Sequence, residues 1–157
     1  MSPEEFLSLL AGVPAKLDAI SLRDPLMQAS SEVGEQVGQN FQRQVSGDGS
    51  PWPPHELLTI KVYGPHPLLK LTSAMYAAAT DPDDPNGKLL VEDRQITLGI
   101  DGTEIPYAKV QNEGGVGEGG NRIPQREFFY LTSDGEQDVH DIFAQAAGPV
   151  VERDLFG

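Results

Sequence analysis

Asp24-Pro25-Leu26-Met27-Gln28-Ala29-Ser30-Ser31-Glu32-Val33-Gly34-Glu35-Gln36-Val37-Gly38-Gln39-Asn40-Phe41-Gln42-Arg43 is the stretch that decides the fold. Asp24 before Pro25 is a cap followed by the one proline position a first helical turn tolerates. Leu26, Ala29, Val33, Val37 and Phe41 then recur at spacings of three and four, with Val45 as an extension, while Glu32, Glu35, Gln36 and Arg43 fall off that stripe. The spacing predicts an amphipathic helix. It must stop before Gly47-Asp48-Gly49-Ser50-Pro51-Trp52-Pro53-Pro54, which holds too many breakers to be other than a loop.

Upstream, Ser2 with Glu5 makes a capping box, and Pro3 again occupies a first turn. Phe6, Leu10, Val13, Leu17 and Ile20 form a second stripe, with a break expected near Val13 because Gly12 and Pro14 interrupt it. Downstream, a short helix is predicted over Leu68–Ala79, with Leu68, Leu71 and Met75 on one face. Asp81–Gly87 reads as an exposed loop tip. Lys88–Glu92 and Gln95–Ile100 read as a hairpin, the second strand alternating Ile96, Leu98 and Ile100 with polar partners. Pro106–Asn112 suits a short helix, and Glu113–Asn121 a flexible glycine-rich stretch. Arg126–Leu131 reads as a strand buried on both faces. Ser133 with Glu136 repeats the capping box and opens a last helix carrying Val139, Ile142, Phe143, Ala146 and Val150.

The result is an α+β domain: N-terminal helices packed with a small antiparallel sheet, a further short helix and a C-terminal helix. Residues 1–157 are expected to form one domain, with flexible loops near 46–54, 81–87 and 113–121.

At 157 residues the chain is long enough to bury a core without staples. It has no cysteine, which excludes disulfides, cysteine–zinc sites and a thiol nucleophile. No run of about 20 apolar residues is present to span a bilayer. The acidic start, Met1-Ser2-Pro3-Glu4-Glu5, is unlike the basic start of a secretory signal, so a cytoplasmic start is expected. A formal charge of −13 repels phosphate and argues against wrapping nucleic acid. The same charge suits a wall that DNA slides past, or a merely soluble acidic protein.

Several motifs suggest chemistry and fall short of it. Gly115-Val116-Gly117-Glu118-Gly119-Gly120 matches the dinucleotide fingerprint in letters. That mechanism needs a strand before it and a helix opening within it, and Glu118 would repel phosphate, so a mobile loop is the preferred reading. Asp81, Asp83 and Glu92 stand at the first, third and twelfth positions of a calcium loop, but Pro85 and Asn86 replace the fifth ligand and the turn glycine. His55, His66 and His140 show no metal-ligand spacing. No Gly-x-Ser-x-Gly elbow and no carboxylate pair within an apolar segment is present. Neither an enzyme activity, a cofactor nor a metal is expected. Trp52, alone in its proline-rich loop, either caps its own core or makes a subunit contact.

Four segments carry a resemblance. Phe41, Gln44 and Asp48-Gly49-Ser50-Pro51-Trp52-Pro53-Pro54 resemble the opening signature of the phage virion morphogenesis family, the Mu G-type and P2 S-type tail-completion proteins that join head to tail. Leu68–Met75 resembles its Leu-Ile-x-x-Thr-Gly-x-Leu element. Ile105–Gly115 resembles Pro-Tyr-Ala-x-x-His-Gln-x-Gly-Gly, and Ile123–Phe128 resembles Ile-Pro-x-Arg-x-Phe. The matches run in order over about Phe41 to Leu131. Ser73 stands at the usual glycine and Gln111 at the usual histidine, and the segment between Trp52 and Leu68 is shorter and less basic than the family pattern.

The resemblance implies a virion protein that forms a homo-oligomeric ring, a hexamer, at the head–tail junction. Its partners would be neck or adaptor proteins and tail-tube or tail-terminator proteins, with genomic DNA as passing cargo and no membrane. The alternative is a tail-assembly chaperone or scaffold that leaves before maturation. Trp52, Tyr107, Arg126 and Phe128 are the candidate subunit or partner contacts. Arg126 is expected to bridge to a carboxylate, of a neighbour in preference to its own domain, because arginine is enriched at interfaces.

Overall fold

A computed structural model describes residues 18, 20–70, 72–117 and 119–156 of the chain. The predicted capping box at Ser2 and the stripe from Phe6 to Leu17 lie outside the described residues, as do Leu71 and Glu118.

The decisive stretch is helix α1, Arg23–Arg43, capped by Leu22 without a side-chain hydrogen bond; Asp24, expected as the cap, lies inside the first turn, where like Arg43 in the last it suits the helix dipole. Its stripe is the one expected: Leu26, Ala29, Val37 and Phe41 are buried, and Val33 packs beside them. The helix closes on Gln44, whose left-handed backbone returns its N–H to the Asn40 carbonyl. Val45 therefore lies beyond the helix and bridges to Pro51 instead. Gln36, expected off the stripe, is buried, because the start of the last helix lands on it.

Helix α2, Leu57–Tyr63, has no counterpart in the sequence reading. Helix α3, Ala74–Thr80, begins six residues after the predicted Leu68. The chain turns instead through Leu69 and Ser73, both at φ 60°, which no right-handed helix accommodates. Against α1, α3 comes so close that a Cβ at Gly34 would run into the Thr80 carbonyl oxygen. Strands β1, Gly87–Val91, and β2, Ile96–Ile100, pair antiparallel from Gly87 opposite Ile100 to Val91 opposite Ile96, within a residue of expectation. This hairpin lies on α1 and α3.

Helix α4, Tyr107–Glu113, leads into a two-residue ladder, β3 (Gly115–Val116) with β4 (Arg122–Ile123), where a flexible stretch was expected. Helix α5, Ser133–Phe156, runs along α1. Its cap is Thr132 rather than Ser133. The Thr132 hydroxyl accepts the Gly135 N–H at 3.1 Å and donates to Gln36 at 3.3 Å.

Residues 126–131 form no strand, in contrast to the prediction. The Arg126 N–H donates to the Gln111 carbonyl, and the other paired backbone groups meet side chains instead of a neighbouring strand. Asn112 Oδ1 accepts from the N–H groups of Phe128 and Phe129, both at 3.0 Å. Asn40 Nδ2 donates to the carbonyls of Phe128 (3.0 Å) and Tyr130 (2.9 Å). Burial thus demands partners for this backbone, and two asparagines supply what a ladder would have.

The whole is an α+β fold with one core: Val37, Phe41, Trp52, Leu68, Met75, Ala78, Ala79, Ile105, Ala108 and Phe128. Among the described residues no helix is long and apolar enough to cross a membrane.

Candidate functional site

The four segments singled out in the sequence meet around Phe41. Its ring stands edge-on to Trp52 at 5.8 Å and to Tyr76 at 5.2 Å, and lies tilted on Phe128 at 5.0 Å. Trp52 reaches it because residues 45–51 form a tight loop, closed by Ser46 N–H to the Ser50 carbonyl and Trp52 N–H to the Gln44 carbonyl. The indole N–H then donates to the Glu127 carbonyl at 3.0 Å. The loop is fastened again by Glu127, whose carboxylate accepts the Gly47 N–H, and by Tyr130, whose hydroxyl donates to the Val45 carbonyl.

Arg126 is the polar counterpart of Phe41. Buried in this chain, its guanidinium donates to the Pro53 carbonyl (2.9 Å), the Pro54 carbonyl (3.0 Å) and Gln111 Oε1 (3.2 Å). Within the chain, these hydrogen bonds go to carbonyl oxygens rather than to the carboxylate expected. Prolines leave the loop's carbonyls without a sheet partner, and a planar fork of donors satisfies two of them at once. Burial lowers the guanidinium's pKa and the Glu56 carboxylate opposes that, but an arginine stays charged regardless.

Of the four candidate contacts, then, Trp52, Arg126 and Phe128 are interior, at 4, 6 and 2% exposure. Tyr107 alone is at the surface. The core reading of Trp52 is the one the structure adopts.

The histidines hold what the sequence reading missed. The rings of His55 and His66 lie 4.3 Å apart, at the two ends of the excursion that carries α2. His66 Nδ1 is 2.9 Å from the Gly64 carbonyl, and His55 Nε2 is buried without a hydrogen-bond partner among the described residues. Burial lowers the His55 pKa, and the positive charges of His66 and Arg126 lower it further; backbone hydrogen bonds at His66 and Pro67 work the other way. The bracket Pro54-His55 and His66-Pro67 was the available signal: two mirror-image dipeptides at the ends of one loop. His140 lies elsewhere, on the surface beside Asp141.

Comparison with protein-family models, with curated proteins and with solved structures finds no match for this chain.

The pair opens onto a groove of about 760 Å³, walled by Leu58 and Tyr63 of α2 on one side and by Tyr107, Gln111 and Arg122 on the other, with Met75 also in its lining. The glycine-rich stretch forms part of this wall. Gly115-Val116 folds back on Arg122–Ile123, and the next helix begins only at Ser133, so no helix N-terminus faces the stretch as pyrophosphate binding requires. In the acidic loop, Asp81 and Asp84 carboxylates accept the N–H groups of Asp83 and Asn86. Among the described residues no three histidine or carboxylate side chains converge as metal ligands.

Proposed function

We propose that this chain is a structural protein of the tailed-bacteriophage virion. Copies of it close into a ring, a hexamer, at the head–tail joint, contacting neck or adaptor proteins and the tail tube or its terminator, and leave a channel through which DNA passes. The observation that carries this reading is the way the four family-like segments come together. Each supplies the same core: Phe41 and Trp52 from the first, Leu68 and Met75 from the second, Ile105 and Ala108 from the third, Phe128 from the fourth.

The glycines of the pattern support it further. Gly114 and Gly115 have φ of 73° and 146°, and Ser73, where the pattern has glycine, has φ 60°. A left-handed backbone favours glycine at each of these positions. A pattern belonging to another fold would have no reason to place glycines there.

The polar residues of the pattern hold backbone. Gln111 orients Arg126, and Arg126 ties down the proline loop. The reading therefore assigns no catalytic residue; the work is done by shape and self-association. A charge of −13 suits a lumen that does not hold DNA.

Mass spectrometry and antibody labelling of purified particles, with a reconstruction of the joint, provide the test. The expected result is a ring of this chain between head and tail. Particles that lack the chain would return the chaperone or scaffold reading. Turnover of a small substrate by the isolated protein would overturn both.

A further inference from the structure

Helix α2 is the part of the molecule that the fold leaves unexplained. It buries none of its residues, and Leu57, Leu58, Val62 and Tyr63 are 79, 69, 61 and 61% exposed. A two-turn helix has little stability of its own in water and depends on packing an apolar face. Its exposed Leu58 and Tyr63 share one groove with the exposed Tyr107, and large apolar side chains grouped at a surface are the usual mark of a contact site.

The groove under α2 differs from the rest of the molecule in charge. Its ionic lining is Arg122 and Arg126 against Glu56, with His55 and His66 beside them, in a chain whose formal charge is −13. Its complement is therefore an acidic projection, and this chain has one: the loop Asp81–Asn86, with Asp81 and Asp83 exposed.

We infer that α2 and its groove are the acceptor half of a head-to-tail contact, and that the donor is the acidic loop of a second copy of this chain. The inference rests on the ring reading and names the surface through which neighbours in the ring meet. Charge decides the geometry. A contact between like patches would set one cationic groove against another, whereas a groove-to-loop contact sets it against an acidic loop, and in a ring each copy gives its loop to one neighbour and its groove to the other.

Position agrees. Thr72 and Met75, at the start of α3, line the groove, while Asp81 follows the last residue of that helix, about 10 Å further along its axis. Donor and acceptor thus sit at opposite ends of one rigid element, as a closing ring requires. The loop is also set in advance: two Asx turns and Pro82 and Pro85 hold it, which lowers the entropy lost on docking.

Two variants of the full chain test this. Leu58→Glu with Tyr63→Glu damages the groove, and Asp81→Asn with Asp83→Lys damages the loop while leaving an Asx turn possible. All four side chains are exposed, so circular dichroism should show both variants folded. Native mass spectrometry should find a cyclic oligomer for the natural sequence. Each variant alone should be monomeric, its dissociation constant raised by about 100-fold or more, the scale of losing an interface hot spot. A 1:1 mixture should give a dimer and stop there, because one intact groove meets one intact loop.

A groove variant that assembles normally, or a mixture that stays monomeric, overturns the inference. So does a natural chain that is monomeric at every concentration. Particles carrying a ring whose subunits meet through another surface would sink this contact and leave the ring reading standing.

Discussion

Phe41 to Trp52 and His55 to His66 are separated by two prolines and have opposite fates. The first has three large apolar side chains, Phe41, Val45 and Trp52, and the second has five, Leu57, Leu58, Ile60, Val62 and Tyr63. In the first, Phe41 is 1% exposed, and Trp52 from the same segment closes on it together with Tyr76 and Phe128 from distant ones. In the second, no residue of α2 is buried, and Leu57, Leu58, Val62 and Tyr63 are exposed. Composition alone would predict the reverse, since the more apolar segment is the exposed one. On the contact proposed above, the partner surface of the first lies in the same chain and that of the second in a neighbouring copy, so apolar side chains make a core in one place and an interface in the other.

Paired substitutions would break that comparison most directly. Phe41→Ala removes the hub of the ring cluster and should cost about 3–5 kcal/mol, a large part of the 5–15 kcal/mol a domain possesses. Leu58→Ser, in the same assay at a concentration where the protein is monomeric, should stay within about 0.5 kcal/mol. Urea denaturation measures both. A Leu58→Ser loss as large as a core substitution would show that α2 is packed within its own chain, and the contrast would disappear.

A smaller effect lies at the border between the two regions. His55 has its pKa lowered in the folded state, first by burial and then by the charges of His66 and Arg126; Glu56 is the nearby carboxylate acting on Arg126. The unfolded chain, with a histidine pKa of about 6.5, then binds the proton more readily than the folded one. His55 thus contributes stability that is fully present above about pH 6.5 and is lost as the pH falls through that value toward the folded pKa. Denaturation midpoints should decline on acidification, and His55→Gln should flatten the decline. Parallel profiles for the two proteins would remove His55 from the linkage.

How much of this was legible in the sequence follows from where each signal resides. Helix α1 and the β1–β2 hairpin were readable because periodicity is a local property of the segment. Residues 126–131 were misread as a strand because aromatic density signals burial, and burial was taken to imply a ladder. The asparagines that pair with that backbone lie 16 and more residues away. Helix α2 was missed because Leu57-Leu58-Thr59-Ile60-Lys61-Val62-Tyr63 is apolar on every side and shows no stripe. The histidine pair was split by the same excursion. Apolar stripes are written locally; both caps shift, from Asp24 to Leu22 and from Ser133 to Thr132, and the groove exists only where distant segments meet.

The smallest expected effect also separates a strained joint from a packed one. Ser73 and Leu69 share φ 60°, but Leu69 packs against the core and Ser73 is exposed. A non-glycine residue with a left-handed backbone costs roughly 1–2 kcal/mol, and glycine returns roughly 0.5–1 kcal/mol of that through the greater freedom of the unfolded chain. Ser73→Gly should therefore stabilise the fold by up to about 1 kcal/mol, the difference between the strain relieved and the freedom added to the unfolded chain. Leu69→Gly relieves the same strain but forfeits packing, and should destabilise. Ser73 does not line the groove, so its substitution should raise the urea midpoint without altering assembly. A Ser73→Gly variant less stable than the natural protein would mean that the backbone there is not strained. The glycine of the family pattern would then have no physical reason to coincide with this position, and the resemblance would lose one of its supports.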